Sequence, residues 1–106
     1  MSTPAPGYLW LDAEFSSLEL EEAEILQVAL LATDSTLKRL APPEKDLVLF
    51  IKRTDDRGIS PWVKEHIPHI VKGCLGQKAV SLEDAEVRCC GYIDRIIGDI
   101  EESPSD

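Results

Sequence analysis

No stretch of this sequence approaches the roughly 18–20 consecutive apolar residues that a helix needs to cross a bilayer. A membrane-spanning helix is therefore not expected. The first seven residues, Met-Ser-Thr-Pro-Ala-Pro-Gly, carry no basic residue and no long apolar run, so neither a secretory signal nor a transit peptide is expected there. Cysteine is scarce and odd in number: Cys74, Cys89 and Cys90. Adjacent Cys89 and Cys90 would point in different directions on a helix, and no Cys-x-x-Cys pair occurs. These features argue against a disulfide framework and a structural zinc site, and fit a reducing, cytoplasmic setting. Basic residues are outnumbered, 11 Lys and Arg against 20 Asp and Glu, for a formal net charge of −9. Such a chain does not coat nucleic acid with a basic, counterion-releasing surface. It can still engage phosphates if metal ions supply the positive charge.

Length bounds the chain to one small domain of 106 residues. With 43% hydrophobic and 29% charged residues, its composition is that of a globular protein rather than a disordered one. Residues 1–7 read as a flexible lead-in, 8–100 as the folded part and 101–106 as a polar tail. Strands are expected at 8–14, at 25–33 and at 46–53, with a short extra strand at 37–40 broken at Pro42-Pro43. The acidic run Glu19, Glu21, Glu22 and Glu24 reads as a solvated turn. Ser60-Pro61 opens a helix, Ser as N-cap and Pro at the first position, and Pro68 ends or kinks it. Ile70 and Val71 extend it by a further turn, and 74–80 reads as loop. Ser81 caps a last helix whose core stripe is Leu82, Ala85, Cys89, Ile93, Ile96 or Ile97, and Ile100. Gly91 would weaken that helix and permit close packing there. The order is a three-stranded antiparallel meander followed by two or three helices. Two helices on one face would leave the other poorly covered, which makes an incomplete mixed α/β domain the expectation.

The chain is organised around Tyr8-Leu9-Trp10-Leu11-Asp12-Ala13-Glu14. In a strand, alternate side chains share a face, so Trp10, Asp12 and Glu14 stand on one side and Leu9, Leu11 and Ala13 on the other. The Cα atoms of Asp12 and Glu14 would lie about 6.6 Å apart. That spacing lets both carboxylates converge on one or two hard cations such as Mg²⁺. Two such ions activate water and stabilise the leaving oxygen in phosphodiester cleavage. The plainer reading is that Asp12 forms a turn or caps a helix at the end of an apolar strand.

Four blocks in order, Asp12-Ala13-Glu14-Phe15-Ser16-Ser17-Leu18, Glu24-Ile25-Leu26-Gln27-Val28-Ala29, Thr33-Asp34-Ser35 with Leu37, and Ser60-Pro61-Trp62-Val63-Lys64-Glu65-His66, resemble oligoribonuclease. These are small 3′→5′ exoribonucleases of the DEDD superfamily with an RNase H-like fold. The resemblance runs from about residue 8 to residue 98, over the N-terminal portion of the family's domain. It implies that Asp12 and Glu14 are catalytic, metal-binding carboxylates for Mg²⁺ or Mn²⁺ in a two-metal site. It implies that Leu18 packs on a base and that Trp62 holds the 5′ side of a very short substrate. It places the Ser16 and Ser17 main chain near the terminal nucleotide and His66 close to the site. The implied partners are short single-stranded oligoribonucleotides, cut to mononucleotides, and the full-length form is a homodimer. Without the resemblance, Leu18 reads as a core contact, Trp62 as a helix anchor and His66 as a surface residue.

Ser17 stands where the family has Gly, and Phe15 where it has Met. The family's two further Asp residues and its catalytic His lie downstream of the matched region. This chain supplies two of four carboxylates and no base, so little or no catalysis is expected of it alone. The alternative is a truncated, non-catalytic derivative acting as a binding or regulatory module.

Overall fold

The computed structural model describes residues 7–42 and 45–102, with side chains to residue 98. Residues 1–6 of the expected lead-in at 1–7, Pro43, the Ile100 side chain and the end of the tail at 103–106 lie outside the described residues, whereas Gly7 belongs to the first strand. Three strands form one sheet in the order of the chain: β1 (Gly7–Phe15), β2 (Ile25–Asp34) and β3 (Leu47–Phe50). Both pairings are antiparallel, as a meander requires. Three helices follow: α1 (Pro61–His66), α2 (Pro68–Leu75) and α3 (Leu82–Glu102). This is the mixed α/β arrangement that the resemblance implies.

The register shows which side chains share a face. Asp12 pairs with Ala29 and Ala29 with Val48; Glu14 pairs with Gln27 and Gln27 with Phe50. These residues line one face of the sheet, and Leu11, Leu30 and Leu47 line the other. The helices split between the two faces. Phe50 packs with α2, where a Cβ at Gly73 would fall 2.5 Å from its ring. Its neighbours Leu49 and Ile51 pack with Ala85 of α3. Successive residues of an extended segment point to opposite faces, so α2 and α3 lie on opposite sides rather than together on one.

The register is regular from Gly7–Asp34 to Glu14–Gln27, then shifts so that Phe15 pairs with Ile25. Leu26 is the extra residue of this bulge. It is wholly buried among Ile59, Val63, Ile70, Val71 and Cys74, whereas Ile25 packs against the cluster of Leu49, Ile51 and Ala85. The bulge thus reverses the alternation, turning Leu26 to the α2 side and Ile25 to the α3 side. The Leu26 carbonyl accepts from the Ile51 N–H at 2.9 Å and from the Cys74 thiol at 3.1 Å. Burial pushes the Cys74 thiol pKa up, which keeps it protonated as a donor.

Several local expectations give way to competing bonds. Residues 37–40 are not a strand. The Asp34 carboxylate accepts from the Thr36 N–H, the Thr36 hydroxyl and the Lys38 N–H, and Leu37 sits at φ 70°, leaving one bridge between Thr33 and Arg39. β3 is shorter than expected, because Ile51 instead bridges Val80 in parallel. Cys74 lies in a helix, not in a loop. Pro68 ends α1 and also begins α2, since a proline at the first helical position lacks an N–H that would have no partner anyway. The α3 stripe includes buried Tyr92 with Ala85 and Ile96, while Leu82 is exposed. Gly91 has nothing close to it; among the helical glycines the close approach is at Gly73.

Candidate functional site

The even-numbered face of β1 carries Tyr8, Trp10, Asp12 and Glu14 in a row. The Trp10 indole Nε1–H donates to the Thr33 hydroxyl at 3.0 Å, which directs the ring toward the Tyr8–Thr33 pair. Tyr8 leans against it with ring centroids 6.0 Å apart. Beside this row lies an open depression of about 410 Å³, lined by Trp10, Asp12, Ala29, Leu31, Asp46 and Val48. Asp46 is held bidentately by Arg39, at 2.7 and 2.8 Å. Asp12 is exposed and Glu14 half-buried. Among the described residues neither carboxylate has a hydrogen-bond or ion-pair partner. A larger depression, about 510 Å³, lies around Ile25, Ile51, Arg53 and Ser81 and contains no residue of the sequence-derived site.

The chain leaves β1 through a tight knot. Ser16 is fully buried. Its N–H donates to the Glu24 carbonyl at 2.8 Å and its hydroxyl accepts from the Glu24 N–H at 2.9 Å. Its carbonyl accepts from the Ser60 N–H at 2.8 Å. Ser60 is in turn the N-cap of α1, its hydroxyl accepting from the Val63 N–H at 3.2 Å. The end of the carboxylate strand is thereby tied to the start of the helix that carries Trp62. Ser17 accepts from the Glu19 N–H at 3.1 Å, and Leu18 is 71% exposed in the acidic turn.

On α1, Trp62 is 45% exposed and His66 stacks on it, with centroids 4.2 Å apart and planes 12° from parallel. The His66 Nδ1 lies 2.9 Å from the Trp62 carbonyl oxygen and so donates to it. The pair is the i, i+4 neighbour relation of a helix surface. Val63, between them, is the residue that anchors α1 to the core. Trp62 is thus not the helix anchor, nor is Leu18 a core contact.

The donor set is chemically apt but partial. Carboxylate oxygens suit a hard divalent cation, which is often held by one or two carboxylates with water completing its shell. Among the described residues no three His, Cys, Asp or Glu side chains group to hold a metal. Asp12 and Glu14 therefore stand as a pair. The sequence pattern alone predicts neither the Ser16 knot nor the Trp62–His66 stack. The helical spacing of Trp62 and His66 was the available signal for the stack, whereas nothing local marks Ser16.

No family model matches the chain. It is 32% identical over 94 residues to the mitochondrial oligoribonuclease of Mus musculus and 31% identical to that of Homo sapiens, in each case across 84% of this chain and 38% of the relative. It is 40% identical over 60 residues to the oligoribonuclease of Colwellia psychrerythraea, across 55% of this chain and 32% of the relative. The chain is thus similar in sequence to curated oligoribonucleases and spans 32 to 38% of the length of these relatives.

Proposed function

We propose that this chain is the part of an oligoribonuclease-like 3′→5′ exoribonuclease that holds divalent metal and receives the end of a short RNA. The observation that carries the proposal is the Asp12–Glu14 pair: two carboxylates on one accessible strand face, neither with a partner among the described residues. Both would bind Mg²⁺ or Mn²⁺, which lowers the pKa of water and offsets charge on the phosphodiester in such reactions. The Trp62–His66 stack offers a flat, sequence-indifferent platform for a base, and Leu18 offers an exposed apolar contact. The Ser17 main chain stands between Leu18 and the fixed Ser16, where a terminal nucleotide would approach.

A second reading is favoured because, among the described residues, no third His, Cys, Asp or Glu is grouped with the pair to hold a metal, and Asp46, in the same depression, is taken up by Arg39. On this reading the chain alone binds metal and oligonucleotide without cleaving. We propose this for the 106-residue form, and the full reaction for a longer chain that supplies the remaining groups. Mn²⁺ should raise the melting temperature, and Asp12→Ala should remove that gain. Trp fluorescence should change when a trinucleotide is added with Ca²⁺, and this response should shrink in Trp62→Leu. Mononucleotide release by the 106-residue chain would overturn the non-catalytic reading. An identical Mn²⁺ response in Asp12→Ala would overturn the metal assignment.

Among the described residues no helix is long and apolar enough to cross a membrane. We propose the cytoplasm as the compartment, supported by three unpaired cysteines. The mitochondrial relatives supply the competing location, and cell fractionation decides between them.

A further inference from the structure

Arg53 stands where three segments meet. Its main-chain N–H donates to the Cys74 carbonyl near the end of α2, at 3.0 Å. Its Nη2 donates to the Arg57 carbonyl at 2.6 Å, and its Nη1 lies 3.8 Å from the Glu24 carboxylate. The side chain is only 15% exposed, and its Nε–H has no hydrogen-bond partner among the described residues. A side chain so placed is a poor stabiliser. Withdrawing a guanidinium from water is costly, one N–H is left unmatched, and a well-packed apolar side chain of similar volume would hold a fold about as well. What an apolar side chain cannot do is address a carbonyl and a carboxylate at once from a rigid, planar fork.

Both groups that Arg53 addresses lead to Ser16. Glu24 exchanges two hydrogen bonds with Ser16, at 2.8 and 2.9 Å. On the other side, the Arg57 carbonyl opens a turn at Gly58, whose φ of 81° is left-handed backbone that suits glycine. Ile59 then enters the core, and the Ser60 N–H donates to the Ser16 carbonyl at 2.8 Å. Ser60 caps α1, which carries Trp62. Ser16 is therefore held from two sides, and the Arg53 guanidinium reaches toward both of them.

We propose that Arg53 is a positioning residue for RNA binding. By holding the Arg57 carbonyl and the Glu24 carboxylate, it fixes where Leu18, two residues past Ser16, stands relative to Trp62, two residues past Ser60. It acts through these segments and touches neither metal nor RNA itself. The inference rests on the reading of Leu18 and Trp62 as RNA contacts. It does not rest on the metal reading, because the partners of the Arg53 side chain are Glu24 and Arg57 rather than Asp12 or Glu14. The two readings are therefore measured separately, RNA by fluorescence and metal by melting.

The test compares Arg53→Met and Arg53→Lys with the wild-type chain, each well below its melting temperature. Arg53→Met fills the space without donors. It should weaken trinucleotide binding with Ca²⁺, read from Trp fluorescence, by about three- to tenfold. Its gain in melting temperature with Mn²⁺ should match the wild-type gain. Arg53→Lys keeps the charge but not the fork, so it should weaken binding in the same direction by a smaller factor, and it serves alone where Arg53→Met does not fold. Hydrogen exchange, followed by NMR, supplies the readout that a general loss of stability would not give. The Ser60 N–H should accelerate severalfold more than the Leu30 N–H of the central strand, whereas a side chain that only supported the whole fold would speed the two alike. Wild-type affinity in every variant that folds, a Mn²⁺ response lost together with trinucleotide binding, or equal acceleration at Ser60 and Leu30 would each overturn the positioning role. A wild-type chain that responds to Mn²⁺ but binds no trinucleotide would overturn the reading of Leu18 and Trp62, and the proposal with it.

Discussion

β1 and β2 are nearly equal in length and both rich in apolar residues, yet they have opposite fates. In β2, Leu26, Leu30, Ala32 and Thr33 are buried, while no residue of β1 is. The difference lies in place, not composition. β2 is central, flanked by β1 and β3, with helices over both faces. Among the described residues β1 has one strand neighbour, and the helices lie mainly over β2 and β3. The strand that carries the candidate chemistry is thus the one the fold leaves open. Burying Asp12 and Glu14 would cost several kcal/mol for each unpaired charge, which suits the pair to the accessible strand.

The largest expected break in this comparison comes from equivalent truncations. Leu26→Ala removes a fully buried side chain and should cost about 2–5 kcal/mol. Leu11→Ala, on the open strand, should stay within about 0.5 kcal/mol. Urea melts on the two variants measure the gap, and equal losses would show that β1 is buried in solution. Gly73→Ala should come next. It drives a methyl group into the Phe50 ring, an overpacking offset in part by better helix propensity, for a net loss of about 1–2 kcal/mol.

The junction between the open strand and the covered region should be more sensitive than its exposed neighbour. Ser16→Ala deprives the Glu24 N–H of its acceptor, and Ser60→Ala removes the α1 cap. Each should cost about 1 kcal/mol, against little for Ser17→Ala. The smallest effect concerns the far end of β2. Hydrogen bonds from the Thr36 side chain and then the Lys38 main chain hold the Asp34 carboxyl below its ordinary pKa. A depressed folded value adds stability above the ordinary carboxylate range. That stability is lost as pH falls through the depressed value. Asp34→Asn should flatten the acid side of a plot of melting temperature against pH.

The strands were legible because their apolar runs are bounded by turn residues, and the face shared by Trp10, Asp12 and Glu14 followed from period two. Ser60 and Ser81 were legible as caps because a helix start is written in a few adjacent residues. The bulge was hidden, since Ile25 and Leu26 are both apolar and a skipped alternation leaves no mark. Residues 37–40 misled because a single carboxylate at Asp34 outcompetes strand pairing. In the site, the Asp12–Glu14 face was legible from spacing alone. The Ser16 knot was not, because its partners Glu24 and Ser60 are chosen by the tertiary fold.

That knot has a consequence for engineering. Ser16 and Glu24 exchange hydrogen bonds across the mouth of the acidic turn, so residues 17–23 form a loop closed at its own base. Lengthening such a loop costs only about 0.6 kcal/mol for each doubling. The chain on either side would not register the change. A reporter peptide or a small domain grafted between Leu20 and Glu21 would ride on the protein's surface, a few residues from the carboxylate strand, with the sheet beneath it undisturbed.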